Sequence, residues 1–347
     1  MNTSHRFLSA VAVALLLPLY AAANSPYIDR VYEYVPAPGQ FINTLPAVTD
    51  NPARAAEEQI AHNQGGMVCL GAWGGYIVFG FDHPVVNVPN EYDLLVEGNA
   101  FYYSNDDPTH GNSEPGIICV SQDSNGNGLP DDPWYEIKGS GHDHPLAFPG
   151  YQITYFRTPA EHQPTPHPTL KFLTDTSLIA WADNLGNTGY LPQNTFHRQD
   201  YFPAWVDADQ LTFTGTLLPA TGVDLQGTGY NYTVACYDYG YADNHPNTSE
   251  QAKINLDWAT DADGQPVRLT HIDFVKVYTG VYQVCGTAGE VSTEVTGAQD
   301  LHPEQPIPSA LLPCHIDDTD RLHIRLRNGM LCVQRGDTFY SLTGQKL

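Results

Sequence analysis

Nine short runs of β-branched and aromatic residues, each closed off by Gly, Pro, Asn or Asp, set the tightest limit on what this chain can fold into. They span 75–81, 92–96, 116–121, 151–157, 177–181, 210–217, 230–237, 253–258 and 272–278. Runs of this length between turn-forming residues read as strands. Only 52–63 has helical character: it follows Asp50 and Asn51 as capping candidates, carries Ala53, Ala55, Ala56, Glu57 and Glu58, and stops before Gly65 and Gly66. Strands without intervening helices predict an all-β chain, a jelly-roll-like antiparallel β-sandwich with one short N-terminal helix. In 274–278 a single charged residue, Lys276, interrupts an apolar run, as expected for a strand with one face in a core.

The ends of the chain read differently from its middle. Arg6, an apolar run over 7–20 and the small residues Ala21, Ala22 and Ala23 predict a secretory signal peptide over 1–23, cleaved near Ala23. No cysteine follows it as a lipoprotein acylation site. The sandwich is expected over 24–302. From Pro303 onward, Pro306, Ser309 and Pro313 mark a linker, followed by short strands at 322–326, 330–334 and 338–342 with turns at Asn328-Gly329 and Gly336-Asp337. Arg321, Arg325, Arg327, Arg335 and Lys346 give this end a basic balance, so 303–347 reads as a separate small β module.

The rest is strongly acidic. The chain carries 15 Lys and Arg against 39 Asp and Glu, a formal net charge of −24. That balance argues for solubility and cation binding, and against nucleic acid as a partner. Six cysteines admit 15 pairings in an oxidising compartment, although Cys69, Cys119 and Cys236 also suit burial as small apolar groups within strands.

The cation expectation has a specific address. Between two predicted strands, Asp123, Asn125, Asn127 and Gly128 meet the first half of the calcium-loop pattern D-x-[DN]-x-[DN]-G, with Asp131 and Asp132 following. Alternate oxygens around a glycine turn are how a loop wraps a hard cation. The second half departs from the pattern, because Trp134 stands where an EF-hand places its bidentate glutamate, leaving that role to Asp131, Asp132 or Glu136. A plain Asn/Gly turn is the alternative.

Aromatic residues supply the candidate binding groups. Trp134, Tyr135, Tyr102, Tyr103, Tyr239, Tyr241 and Trp205 lie at or near strand ends beside Asn, Asp and Gly, where a ring can stack on a sugar or a planar macrocycle. Tyr237, Tyr239 and Tyr241 would share one face of an extended segment. The common nucleophile, phosphate-loop and zincin motifs are missing. A glycosidase needs two carboxylates, for which Asp82, Glu114, Asp238 and Asp243 are candidates. His142 and His144 offer a weaker transition-metal motif.

Several blocks occur in one order: Gly71-Ala-Trp-Gly-Gly75, Phe79-Gly-Phe-Asp82, Gly98-Asn-Ala-Phe101, Glu114-Pro-Gly116, Asp131-Asp-Pro-Trp-Tyr-Glu136, Tyr239 to Asn247 and Asp273 to Gly280. Together they resemble the PKD-type cell-surface proteins of Bacteroidota over roughly 27–302. The final residues, from Phe339, are similar to C-terminal sorting modules of type IX secretion. The resemblance implies a secreted or cell-surface β-sandwich, accessory to nutrient capture, with a glycan or a corrinoid as ligand and an outer-membrane transporter as a possible partner. Calcium would be its structural cofactor. The alternatives are a secreted glycoside hydrolase using a carboxylate pair and a structural or adhesive surface protein.

Overall fold

The computed structural model describes residues 23–308 and, beyond them, the strands His323–Arg327, Met330–Arg335 and Thr338–Ser341. Nearly all of the expected signal peptide and the stretch containing Ser309 and Pro313 lie outside the described residues. The chain is all-β, built of antiparallel sheets with one short helix. No helix among the described residues is long and apolar enough to cross a membrane.

The central sheet runs in the order Arg30–Val35, Tyr76–Val86, His271–Thr279, Gly116–Ser121, Tyr135–Ile137 and Ala259–Thr260, with Tyr241–Ala242 pairing alongside Gly116–Ser121. Its middle strand, Gly116–Ser121, is buried along its whole length. Successive side chains of a strand point to opposite faces, so an unbroken apolar run needs a core on each side. That is the arrangement here. Ile118 and Val120 join Ile77, Phe79, Val275 and Val277 in one core, while Ile117 and Cys119 join Tyr278 in another.

The first core is closed by the helix Pro52–Ile60 through Ala55, Ala56 and Ile60. Asn51 caps it by accepting from the Arg54 N–H at 3.0 Å, and Pro52 occupies a first-turn position where its missing N–H costs nothing. The helix gives way to a tight turn, Ala61–Asn63, because His62 and Asn63 adopt φ of 52° and 58°.

A second sheet, in the order Thr188–Asn194, Leu173–Asp183, Phe148–Phe156 and Gln210–Leu217, covers the other core. Tyr151, Ile153, Tyr155 and Phe213 from this sheet pack with the fully buried Trp73, whose ring stands edge-on to Tyr151 at 4.7 Å. Central sheet and second sheet thus form a sandwich.

Strand boundaries depart from expectation where side chains offered the backbone another partner. The run 253–258 is a strand only at Lys253–Ile254, because Asn255 caps a tight turn, Leu256–Trp258, by accepting from the Asp257 N–H at 2.7 Å. The run 230–237 shrinks to Thr233–Ala235. Cys69, Cys119 and Cys285 are buried and Cys236 is partly buried, and all four are unpaired. The three-bridge pattern is therefore not formed among the described residues.

The chain divides into compact units after Pro306. In the second unit the three strands pair antiparallel in sequence order, with Ile324 opposite Val333 and Val333 opposite Tyr340.

Candidate functional site

Strand Tyr135–Ile137 lies beside Gly116–Ser121 with Glu136 opposite Cys119. Residues two apart on an extended chain project to the same side, which places Trp134, Glu136 and Lys138 on one wall. These three line a cavity of ≈ 510 Å³ with His142 and Asp143 of the turn Ser140–Asp143, Pro149 and Gly150 of the second sheet, Thr216, and Asp261. Its volume falls in the range of small-molecule sites, and it combines an aromatic wall with a few polar groups.

Glu136 is the organised centre of that wall. Its Oε1 accepts from Nε2 of His142 at 2.9 Å and its Oε2 from the Tyr278 hydroxyl at 2.8 Å. On the far side of the imidazole, Nδ1 accepts from the Gly139 N–H at 3.0 Å and lies 2.8 Å from the Tyr241 hydroxyl. That hydroxyl already accepts from the Gly141 N–H at 2.9 Å, so its own proton is free to point at Nδ1. Nε2 thus directs a proton toward Glu136, while Nδ1 stands among the Gly139 N–H, the Gly139 carbonyl and the Tyr241 hydroxyl. Burial pushes the Glu136 carboxyl up, but the bonds from His142 and Tyr278 and the nearby imidazole outweigh it and hold it below the usual glutamate range. It is an oriented carboxylate at the edge of a largely apolar cavity.

Two glycines make this network possible. A Cβ on Gly139 would sit 2.4 Å from the Tyr241 ring, and one on Gly141 would sit 2.5 Å from the Tyr237 ring. At the mouth, Lys138 and Asp143 form an exposed ion pair at 2.7 Å. Burial, aided by the Glu136 charge, pushes the Cys119 thiol up, so it stays protonated and is no thiolate nucleophile.

The expected aromatics do not gather on one face. Trp134 lines the cavity while packing against the second core, and Tyr135 points to the opposite side and packs on the first core. Trp205 also packs on that core, 5.9 Å from the Tyr34 ring. Tyr102 is held through its hydroxyl by Nδ1 of His245 at 2.9 Å. Tyr103, half exposed, lines a second and smaller cavity. Tyr239 lies against Trp258 at 4.8 Å. Tyr241 is corrected outright: its ring is buried, so it serves the His142 network and offers no stacking surface. Of the face expected to be shared by Tyr237, Tyr239 and Tyr241, the Tyr237 and Tyr241 rings do meet, 5.0 Å apart, but Tyr239 leaves it as the chain bends through Gly240 at φ 93°.

Sequence reasoning passed over Glu136, Lys138 and Thr216 as cavity groups. The alternate spacing of Trp134 and Glu136 on a strand was the available signal. His142 and His144 do not converge, since His142 faces Glu136 while His144 is exposed and accepts from the Leu146 N–H at 3.1 Å.

The acidic loop closes on Asp123. Its Oδ1 accepts from the N–H groups of Gly126 and Asn127 at 2.8 and 3.1 Å, and its Oδ2 from Gly128 at 2.8 Å. Asn125 and Asn127 donate their amide N–H to Asp131 at 3.0 and 2.9 Å, and these bonds hold the Asp131 carboxyl below its usual range. Asp132 accepts from the Ser124 N–H at 3.1 Å. The Asp123 N–H is tied at 2.7 Å to Asp273 of the central sheet. The loop is thus a ring of oxygen acceptors anchored to the sheet and running directly into Trp134.

Among the glycosidase candidates, Glu114 and Asp243 do come together, with Glu294 as a third member, each offering an oxygen within 4.8 Å of the others. Asp82 and Asp238 lie elsewhere, on the surface. No protein-family model matches the chain, and no curated protein matches it significantly.

Proposed function

We propose that this protein is a secreted or cell-surface binding protein, accessory to nutrient capture, which holds a sugar ring of a glycan in the cavity between Trp134 and Glu136. One observation carries this: an aromatic ring and an oriented carboxylate stand on the same wall of a ≈ 510 Å³ cavity. A sugar presents an apolar C–H face to a ring and hydroxyl donors at its edge. Trp134 would take the face, and the remaining lone pairs of Glu136 would accept from the hydroxyls. Lys138, Asp143 and Asp261 supply further polar groups at the mouth.

Calcium belongs to the same proposal. Asp123, Asn125, Asn127, Asp131 and Asp132 supply oxygens of the hard type that calcium prefers, and the loop's tie to Asp273 means that a bound ion would stiffen the approach to Trp134. The resemblance to PKD-type surface proteins of Bacteroidota points the same way. The hydrolase alternative gains nothing from Glu114 and Asp243, because Asp243 is buried and its oxygens already accept from three backbone N–H groups. Retaining glycosidases place their carboxyl groups about 5–5.5 Å apart and inverting ones further, across an open cleft.

A glycan array probed with the full chain in calcium, with a corrinoid in a parallel titration, tests the proposal. Binding to a defined glycan class, lost in Trp134→Ala, is the expected result. Corrinoid binding alone would replace the ligand class, and no binding to either would favour a structural or adhesive role.

A further inference from the structure

Away from the Trp134 cavity, three carboxylates meet beneath the edge of the central sheet. Glu114 precedes strand Gly116–Ser121, Asp243 follows Tyr241–Ala242, and Glu294 pairs with Cys69 in a short two-stranded ladder. Asp243 and Glu294 are buried. No Lys, Arg or His stands at ion-pair distance from any of the three among the described residues. Carboxylates are rarely buried together unless something positive or a shared proton compensates them.

The backbone is shaped around this point. Asp243 Oδ1 accepts from the N–H groups of Asn99 and Ala100, each at 2.8 Å, and its Oδ2 accepts from the Glu294 N–H at 2.9 Å. These three N–H donors fix its direction, while burial and the neighbouring Glu114 charge outweigh them and push its carboxyl up. Asp243 is held at φ 50°, a left-handed conformation that a non-glycine residue adopts at a cost and that concentrates at functional sites. Gly98 gives it room, since a Cβ there would lie 2.3 Å from Oδ1. Glu114 accepts from the Ser292 N–H at 3.2 Å and from the Asn112 side chain at 3.3 Å.

Two oxygens, one within the cluster and one outside it, are left without a donor. Glu294 is 5% exposed, and its Oε2 is buried with no hydrogen-bond partner. Glu290 is 4% exposed, and its Oε2 is likewise buried and unpartnered while it lines, with Glu114, a cavity of ≈ 130 Å³. Asn112, Ser113 and Tyr103 line the same cavity, which gives a polar route toward Glu114.

We propose that Glu114, Asp243 and Glu294 form a second, buried calcium site, entered past Glu290. The spacing permits it: ligand oxygens of one calcium ion stand at most roughly 4.8 Å apart, twice a bond of about 2.4 Å, and these three lie within that limit. The ion would compensate the three carboxylates, displace the proton that Glu114 and Glu294 otherwise share, and give Glu294 Oε2 the partner it lacks. Its role would be structural, tying the segments before Gly116 and after Ala242 to the Val68–Cys69 ladder. The site stands independently of the loop and of the glycan cavity.

The test uses the full mature chain carrying Asp123→Ala, which disables the loop. After loading with calcium and dialysis into metal-free buffer, elemental mass spectrometry should find about one calcium per chain, consistent with a single caged ion. Adding Glu294→Gln, or separately Asp243→Asn, should remove it, and a strong chelator should lower the melting temperature of Asp123→Ala protein but not of either double variant. A calcium-free Asp123→Ala chain whose melting ignores chelator would overturn the site and leave the carboxyls sharing protons. Calcium retained undiminished by both double variants would overturn it as well. The measurement on Asp123→Ala alone decides even if neither double variant folds.

Discussion

Glu290 gives a sharp pH signature, and the substitution that exposes it is Glu290→Gln. One carboxyl oxygen accepts from the Gln40 N–H, the other has no partner, and the residue is almost wholly enclosed. Burial pushes this carboxyl up to about 8, the bonds to backbone N–H groups pull it back only in part, and the neighbouring Glu114 adds to the rise. In the unfolded chain a glutamate ionises near 4.3. Between that value and about 8 the native state holds a proton that the unfolded state has released. Stability contributed by the neutral form is therefore fully present below the lower value and is lost as pH rises through the upper one. Each pH unit in this window costs the native state about 1.4 kcal/mol, so the ceiling is about 5 kcal/mol across it. Glutamine keeps an acceptor for Gln40 and cannot ionise. Urea unfolding of parent and variant at pH 5 and pH 8, with chelator throughout, isolates Glu290 and its link to Glu114, because titrations that do not couple to Glu290 cancel in the difference. The variant should gain on the parent by several kcal/mol from the lower pH to the higher, within that ceiling. A difference that stays constant with pH would refute the claim that Glu290 is buried neutral.

Three further outcomes follow from packing and coordination. Gly139→Ala would drive a Cβ into the Tyr241 ring, so His142 should lose its fixed orientation, with ligand binding falling and the His142 ring resonances shifting in NMR spectra while the fold persists. Ile118→Ala removes a fully buried side chain from the two-sided sheet and should cost about 2–5 kcal/mol in urea unfolding. Calcium at 100 times its Kd for the loop should raise stability by about 2.7 kcal/mol, and Asp123→Ala should abolish that part of the calorimetric shift.

Much of the fold was legible because it depends on short-range pattern. Gly116–Ser121 and Gln210–Leu217 match the expected strands at both ends, since apolar or alternating runs meet clear turn residues there. The strand Thr188–Asn194 was missed: Gly189 and Pro192 depress local strand preference, and only pairing with Leu173–Asp183 overrides it. The candidate sites were less legible. Trp134 and Glu136 are neighbours in sequence, but the partners that orient Glu136, namely His142, Tyr241 and Tyr278, come from three separate elements. Glu114, Asp243 and Glu294 likewise come from separate segments of the chain and meet only in the fold. Tyr241 misled because a tyrosine beside glycine reads the same whether its ring faces solvent or a buried imidazole.

Isothermal titration calorimetry of a glycan selected on the array, against parent, Trp134→Ala and Glu136→Gln proteins, tests the proposed binding role most directly. The account predicts saturable binding to the parent, a loss of about 2 kcal/mol in Trp134→Ala, the usual size for an anchoring aromatic, and weakened binding in Glu136→Gln, with both variants still folded at the titration temperature although their melting falls, since Trp134 packs on the second core and Glu136 accepts from His142 and Tyr278. Undiminished binding by Trp134→Ala and Glu136→Gln would contradict it, because the ligand would then sit elsewhere on the molecule.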